Sequence, residues 1–216
     1  MKKRTQRTRR EQRTPRGFFF ASFACLAIFA GAFFINHPTQ MQLVTPRLIL
    51  RDFTAGDWPA VLAYQSDPRY LRYYAWESRT AEEVQAFVQM FIDHQHQEPR
   101  LKYQLAVTLR ETGELIGNCG IRMAAADSHE AEIGYELSPD QWGRGYATEA
   151  VAAILRFGFD ELRVRRIAAW LVADNVASAR VLEKNGLRLE GRLRDKEVYK
   201  GRYWDVLMYA KVMGDK

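Results

Sequence analysis

Residues Arg47 to Phe53 alternate apolar and polar side chains, the period of a half-buried strand. Thr54 stands as a cap and predicts a helix from near Ala55 to about Tyr64, broken at Ser66-Asp67-Pro68. An aromatic loop with Tyr70, Tyr73, Tyr74 and Trp76 follows. Thr80-Ala81-Glu82-Glu83 has capping-box spacing and opens a second helix with Val84, Phe87, Val88 and Phe91 on one face. Tyr103 to Leu109 and Leu115 to Ile121 read as strands joined by a hairpin turn at Glu111-Thr112-Gly113. Ala131 to Leu137 is a further strand, and a glycine-containing turn leads into a helix from about Tyr146 to Phe159. Arg166 to Val172 is a strand, and Asn175 caps a helix that stops at Gly186. Leu187 to Leu193 and Trp204 to Val212 close the chain as strands. The order β-α-α-β-β-β-α-β-α-β-β predicts an α/β (α+β) fold, a mixed central sheet with helices on both faces.

Composition changes this picture only at the N-terminus. The chain has 216 residues, enough for one well-cored domain and a short appendage. The net charge of +6 suggests a nucleic-acid partner until its distribution is examined. Residues 1–16 hold eight Lys or Arg and one acid, and residues 17–40 hold no Lys, Arg, Asp or Glu, so residues 41–216 sum to −1. A near-neutral body predicts no phosphate-backbone partner. Cys25 and Cys119 are too far apart for a disulfide framework, and His37, His94, His96 and His129 lack zinc-ligand spacing, so no metal is expected.

Residues 1–40 form a separate region: a basic stretch to Arg16, then an apolar run from Gly17 to Ile35 about long enough to cross a bilayer. Ala30-Gly31-Ala32 also resembles a signal-peptidase site. The domain is expected at residues 41–216. The opening M-Q-L-V-T-P-R-L-I-L-R-D-F is self-sufficient, and Met41 is read as the true start.

The chemistry centres on Gln141-Trp142-Gly143-Arg144-Gly145-Tyr146-Ala147-Thr148-Glu149-Ala150, between a strand and a helix. Glycines let backbone approach a ligand, and helix-start N–H groups bind phosphate oxygens. A bare G-x-G is equally a plain turn. No Gly-Lys-Ser/Thr follows, which excludes a P-loop, and the acid of a dinucleotide fingerprint is missing.

The stretch A-E-I-G-Y-E-L-S-P-D-Q-W-G-R-G-Y-A-T-E-A resembles the acetyl-CoA-binding core of GNAT enzymes, closest to ribosomal-protein N-terminal acetyltransferases. T-P-R-L-I-L-R-D-F, D-N-V-A-S-A-R-V-L-E-K-N-G-L-R-L-E-G and G-R-Y-W-D-V-L-M-Y-A match the same branch in order. The resemblance covers nearly all of residues 41–212. It implies acetyl-CoA as co-substrate and direct attack of an amine on the thioester, the amine being most readily a protein N-terminus. A small amine such as a polyamine or antibiotic is the alternative acceptor, and a membrane-tethered CoA-binding module without turnover is a reading from another class. The family's donor location implies a cytoplasmic enzyme, membrane-anchored only if residues 17–35 are present and inserted. An exported body would be cut off from acetyl-CoA, and for the same reason Met41 is preferred as the start.

By the same resemblance, Trp142, Gly143, Arg144, Gly145, Tyr146 and Ala147 hold the pyrophosphate. Trp142 stands where Gln or Arg is usual, an aromatic this branch often has. Ile133 and Tyr135 lie on the strand that flanks the pantetheine arm, and Asn175 sits where relatives contact it. Ser178 aligns with a serine thought to protonate the CoA thiolate, Glu197 with a glutamate thought to act as base, and Glu132 with the base of other branches. Each also has a plain structural reading: a first-turn serine, a solvated charge, a hydrogen-bonding strand residue. The tyrosine that many relatives place seven residues after the asparagine is Leu182 here, which favours the serine route. Tyr73, Tyr74 and Trp76 fall where the family builds its acceptor wall, although the rings could simply pack under the first two helices. Cys119 is expected as core rather than as an acetyl carrier.

Overall fold

The computed structural model describes residues 40–215. The basic and apolar readings of residues 1–39 lie outside them. Among the described residues, no helix is long and apolar enough to cross a membrane.

A short strand, β1 (Gln42–Val44), pairs antiparallel with β2 (Leu48–Asp52). In β2, Leu48, Leu50 and Asp52 are buried and alternate with half-buried Ile49 and Arg51. A 3-10 turn, Ala55–Asp57, forms where a helix start was expected, and α1 (Trp58–Gln65) follows with Pro59 in its first turn. Asp67 caps a one-turn helix, α2 (Pro68–Leu71), inside the predicted aromatic loop. The capping box holds at α3 (Ala81–Gln95): Thr80 Oγ1 accepts from Glu83 N at 3.2 Å, and Glu83 Oε2 accepts from Thr80 N at 3.0 Å.

Next come β3 (Lys102–Leu109), β4 (Leu115–Met123), β5 (Glu130–Leu137), α4 (Tyr146–Asp160), β6 (Arg166–Val172), α5 (Val176–Lys184), β7 (Arg188–Tyr199) and β8 (Arg202–Val212). The eight strands order as β1-β2-β3-β4-β5-β6-β8-β7. Every neighbour pair is antiparallel except β5 and β6. Helices α4 and α5 bury Val151, Ile154 and Leu182 against one face. On the other face, α1 to α3 bury Val61, Tyr64, Tyr70, Val84, Val88 and Phe91. This is the expected mixed sheet covered on both sides.

The last two strands run longer than their patterns suggest. The polar stretch Arg194 to Lys196 reads as a loop but belongs to β7, where the register shifts between Leu193 and Glu197 and Asp195 takes φ 52°. Lys200 and Gly201, both at positive φ, make the tight turn into β8.

Candidate active site

Strands β5 and β6 pair only at Glu130–Arg166, Ala131–Ile167 and Glu132–Ala168, then part. His129 O accepts from Arg166 N at 3.1 Å, while Ser138 N donates to Ile116 O of β4 at 2.7 Å. Backbone groups alternate along a strand, so odd-numbered residues of β5 face β6. Ile133 and Tyr135 therefore present N–H and C=O groups to a gap with no strand opposite. An extended ligand carrying amides, as pantetheine does, fits such an edge.

The turn after β5 suits an anion. Trp142 Nε1 donates to Leu137 O at 2.9 Å and folds the turn back on the strand end. Gly143 (φ 76°) and Gly145 (φ 81°) adopt left-handed backbone, and Gly145 offers no side chain to cap α4. The first helical amide bond is Glu149 N to Gly145 O, which leaves the N–H groups of Tyr146, Ala147 and Thr148 directed outward.

Two residues that the sequence reading left out of the site brace this turn. Arg47 donates from Nε to Glu149 Oε2 at 2.6 Å and from Nη1 to Arg144 O at 3.0 Å, and its guanidinium lies 4.6 Å from the Tyr146 ring centre. Glu149 Oε1 accepts from Thr45 Oγ1 at 2.7 Å and Arg47 N at 2.9 Å. Burial works to raise the Glu149 carboxyl, but the hydrogen bonds from Thr45 and Arg47 outweigh it and hold the group below its ordinary value. Both residues lie in segments with recognisable spacing, but no local pattern brings them together across the fold.

Ser178 sits in the first turn of α5, where Asn175 Oδ1 accepts its N–H at 3.2 Å. Its Oγ lies 2.7 Å from the Tyr135 hydroxyl, which also donates to Ser178 O at 3.0 Å. Glu132 and Glu197 lie on the opposite face of the sheet from Tyr135. Glu132 occupies the last paired rung before the gap and accepts from Trp170 Nε1 at 3.2 Å, with Arg122 Nε 3.9 Å away. Glu197 is exposed opposite Trp204, whose ring stacks on Tyr199 at 5.0 Å. Cross-strand partners share a face, and the register Glu132–Ala168–Ala210 places Glu132 with the even-numbered residues of β8, Trp204 included. The three acid–base candidates thus come from three elements, and no hydrogen bond joins them among the described residues.

The aromatic loop divides. Tyr73 donates to Asp174 O at 3.1 Å, accepts at its carbonyl from Tyr199 Oη at 2.9 Å, and meets Trp204 edge-on at 6.3 Å. Lys200 Nζ reaches Leu71 O at 2.7 Å, and Arg202 pairs with Asp174 at 2.6 Å. The β7–β8 tip is thereby bound to the loop and to the β6–α5 connection. Tyr74 and Trp76 turn inward, their rings tilted by 32° with centres 4.5 Å apart on the core side. Beneath them is a residue the sequence reading missed. Glu136 accepts at Oε1 from Tyr64 (2.8 Å), Gln65 (3.0 Å) and Asn118, and at Oε2 from Tyr70 and Tyr74 (3.2 Å). Its only sequence signal was a carboxylate within the strand from Ala131 to Leu137. Cys119 is fully buried, and burial raises its thiol well above the ordinary value, so it stays protonated core. No group of metal-binding side chains occurs among the described residues.

Residues 47–188 match the acetyltransferase (GNAT) domain family. An uncharacterized N-acetyltransferase, p20 of Bacillus licheniformis, is 35% identical over 169 residues, covering 78% of this chain and 94% of that one. The ribosomal-protein-serine acetyltransferase of Escherichia coli is 32% identical over 100 residues, 46% of this chain and 56% of its own. The crystal structure of a GNAT acetyltransferase from Bacillus anthracis superposes with a TM-score of 0.70 at 31% identity, covering 80% of this chain and 98% of that one. The splayed strands, the glycine turn at a helix start and these likenesses agree: the chain belongs to the GNAT family of acetyl-CoA-dependent N-acetyltransferases.

Proposed function

We propose that this enzyme acetylates the N-terminal α-amine of a protein, a ribosomal protein foremost, and that it works in the cytoplasm, where its donor is made. The observation that carries this reading is the openness of the acceptor side. Trp170 and Leu193, 46% and 40% exposed, share the sheet face of Glu132 and Glu197, in place of the enclosed cavity a small amine usually meets. The partial likeness to a ribosomal-protein-serine acetyltransferase supports the same acceptor class.

Acetyl-CoA would lie along the free edge of Ile133 and Tyr135, with its pyrophosphate at the Gly143–Ala147 turn. The neutral amine attacks the thioester carbonyl carbon, and a gap-facing N–H of β5 receives the developing oxyanion. Collapse breaks the C–S bond. Ser178 supplies a proton to the thiolate, and the proton lost by nitrogen passes to Glu197 or Glu132, directly or through water. An α-amine titrates near about 8 against about 10.4 for lysine, so it needs only modest help from a base.

The test is a pH–rate profile on a peptide with a free N-terminal alanine or serine, beside an Nα-blocked lysine peptide and spermidine. Ser178→Ala should lower kcat by about 10²-fold with coenzyme A affinity unchanged. Glu197→Gln should cost most at low pH, where the amine is protonated. Acetylation of spermidine but not of the free N-terminus would overturn the acceptor assignment. Full activity in both variants would shift the base to Glu132. Intact-mass measurement of the cellular protein tests whether the chain begins at Met41.

A further inference from the structure

We propose that Tyr135 is a positioning and proton-relay residue acting through Ser178, a proposal that rests on the assignment of Ser178 as thiolate acid. A phenol has a single proton. The Ser178 carbonyl can only accept, so the 3.0 Å contact is a bond donated by Tyr135. That leaves a Tyr135 oxygen lone pair to accept the Ser178 hydroxyl at 2.7 Å. At rest, then, the serine proton points at the tyrosine, and the phenol bridges the carbonyl and hydroxyl of one residue. The backbone of Ser178 is fixed in turn by the Asn175 cap. The pair joins β5 to α5 across the mouth of the gap, at the end where the thioester would lie.

This arrangement answers a chemical difficulty. An alkyl hydroxyl is a far weaker acid than a thiol, so serine alone would leave an alkoxide on protonating a thiolate. A phenol, near about 10, is much closer to a thiol at about 8.5. In the relay, the Ser178 hydroxyl turns to sulfur and its proton forms the S–H bond. The Tyr135 hydroxyl swings from the carbonyl to Ser178 Oγ and gives its own proton there. The nitrogen's proton, taken first by Glu197 or Glu132, is released to solvent, and solvent returns one to the phenolate, so the carboxylate, the tyrosine and the net charge are all restored. Burial raises the Tyr135 hydroxyl above its ordinary value, against the opposing effect of the Ser178 hydrogen bond; it therefore rests protonated and is a weaker acid than a free phenol, while still a stronger one than an alkyl hydroxyl.

The experiment compares Tyr135→Phe, Ser178→Ala and the double variant, each first checked for an unchanged melting temperature. Both single variants should lose about 10²-fold in kcat on the N-terminal peptide, and the double variant should lose no more than the worse single. Coenzyme A affinity by calorimetry should stay within about twofold of wild type. Rates in H2O–D2O mixtures should curve with deuterium fraction in wild type, because two protons move, and become linear in Tyr135→Phe. Wild-type turnover in Tyr135→Phe, losses that multiply in the double variant, or unchanged curvature would overturn the relay. Should wild type acetylate no amine, the acceptor reading fails separately. The relay is then judged on release of coenzyme A to water, which expels the same thiolate, and equal release rates in wild type and Tyr135→Phe would overturn it.

Discussion

Arg47 Nε lies 2.6 Å from Glu149 Oε2, so the turn between β1 and β2 is clamped to the first turn of α4, the helix proposed to meet the cofactor phosphates. The other arm of the guanidinium holds the Arg144 carbonyl within the glycine turn. Arg47→Ala should therefore weaken coenzyme A binding by about tenfold, the loss of roughly one charge-assisted hydrogen bond. Calorimetry checks it; an unchanged affinity would show the clamp to be irrelevant to the turn.

Gly145 stands at φ 81°, and a Cβ there would meet Arg47 Nη2 at 3.4 Å. Forcing a branched residue into that backbone costs about 1–3 kcal/mol, and the turn is expected to relax out of its anion-binding shape. Gly145→Val should abolish detectable coenzyme A binding, and Gly145→Ala should weaken it. Native circular dichroism with full affinity in Gly145→Val would count against the assigned turn.

The acid limb of stability should follow two carboxylates. At Asp57 burial acts upward, and the bonds from Arg51 and Thr54 more than reverse it, so its folded value is lowered; that of Glu149 is lowered as well. A lowered folded value contributes stability that is fully present above the ordinary carboxylate range, near about 4, and is lost as pH falls through the folded value. Wild type should lose melting temperature steeply below about pH 4. Asp57→Asn should be less stable at neutral pH by roughly 1–3 kcal/mol, with the difference closing in acid. A constant difference across the range would remove Asp57 from the account.

Glu136 has five donors on two oxygens, more than the about four lone-pair sites of a carboxylate, so some are shared. Such a group is committed to holding α1 and α2 against β5 and has nothing left for acid–base work. Glu136→Gln should raise KM for the acceptor with little change in coenzyme A affinity, because the loop that carries Tyr73 loosens. Steady-state kinetics with each substrate varied in turn checks it. A loss confined to coenzyme A binding would contradict the role.

A chain beginning at Met41 should fold and bind coenzyme A. Met41 N donates to Asp52 Oδ2 at 3.0 Å, and Asp52 N donates to Met41 O at 3.1 Å. A new N-terminal ammonium at that point would face the same carboxylate. Insolubility of the shortened chain beside a folded full chain would refute this.

Periodicity placed the long elements well. Thr80 and Glu83 marked the start of α3, and the strand from Arg166 to Val172 came out as expected. β1 was invisible because three residues carry no period, and α2 because Pro68 reads first as a breaker. Ser178 stood out only by the family resemblance, its place one turn after Asn175 being equally that of a plain first-turn serine, and nothing local announces that Tyr135 reaches it. Tyr135, Glu136 and Arg47 act through partners 43, up to 72 and about 100 residues away. Such pairings are set by strand order, which local patterns do not encode.

The sheet's two margins also bear on how copies of this enzyme meet. At one margin β1 is only three residues long. At the other, β7 carries Arg188, Glu190, Arg192, Arg194 and Lys196, and its register shifts twice against β8. A flat, apolar outer strand would invite another chain to extend the ladder. Here the charges and the kinks deny it a matching row of hydrogen bonds. At working concentrations the protein should resist strand-to-strand stacking, and any self-association is steered to its helical or aromatic surfaces.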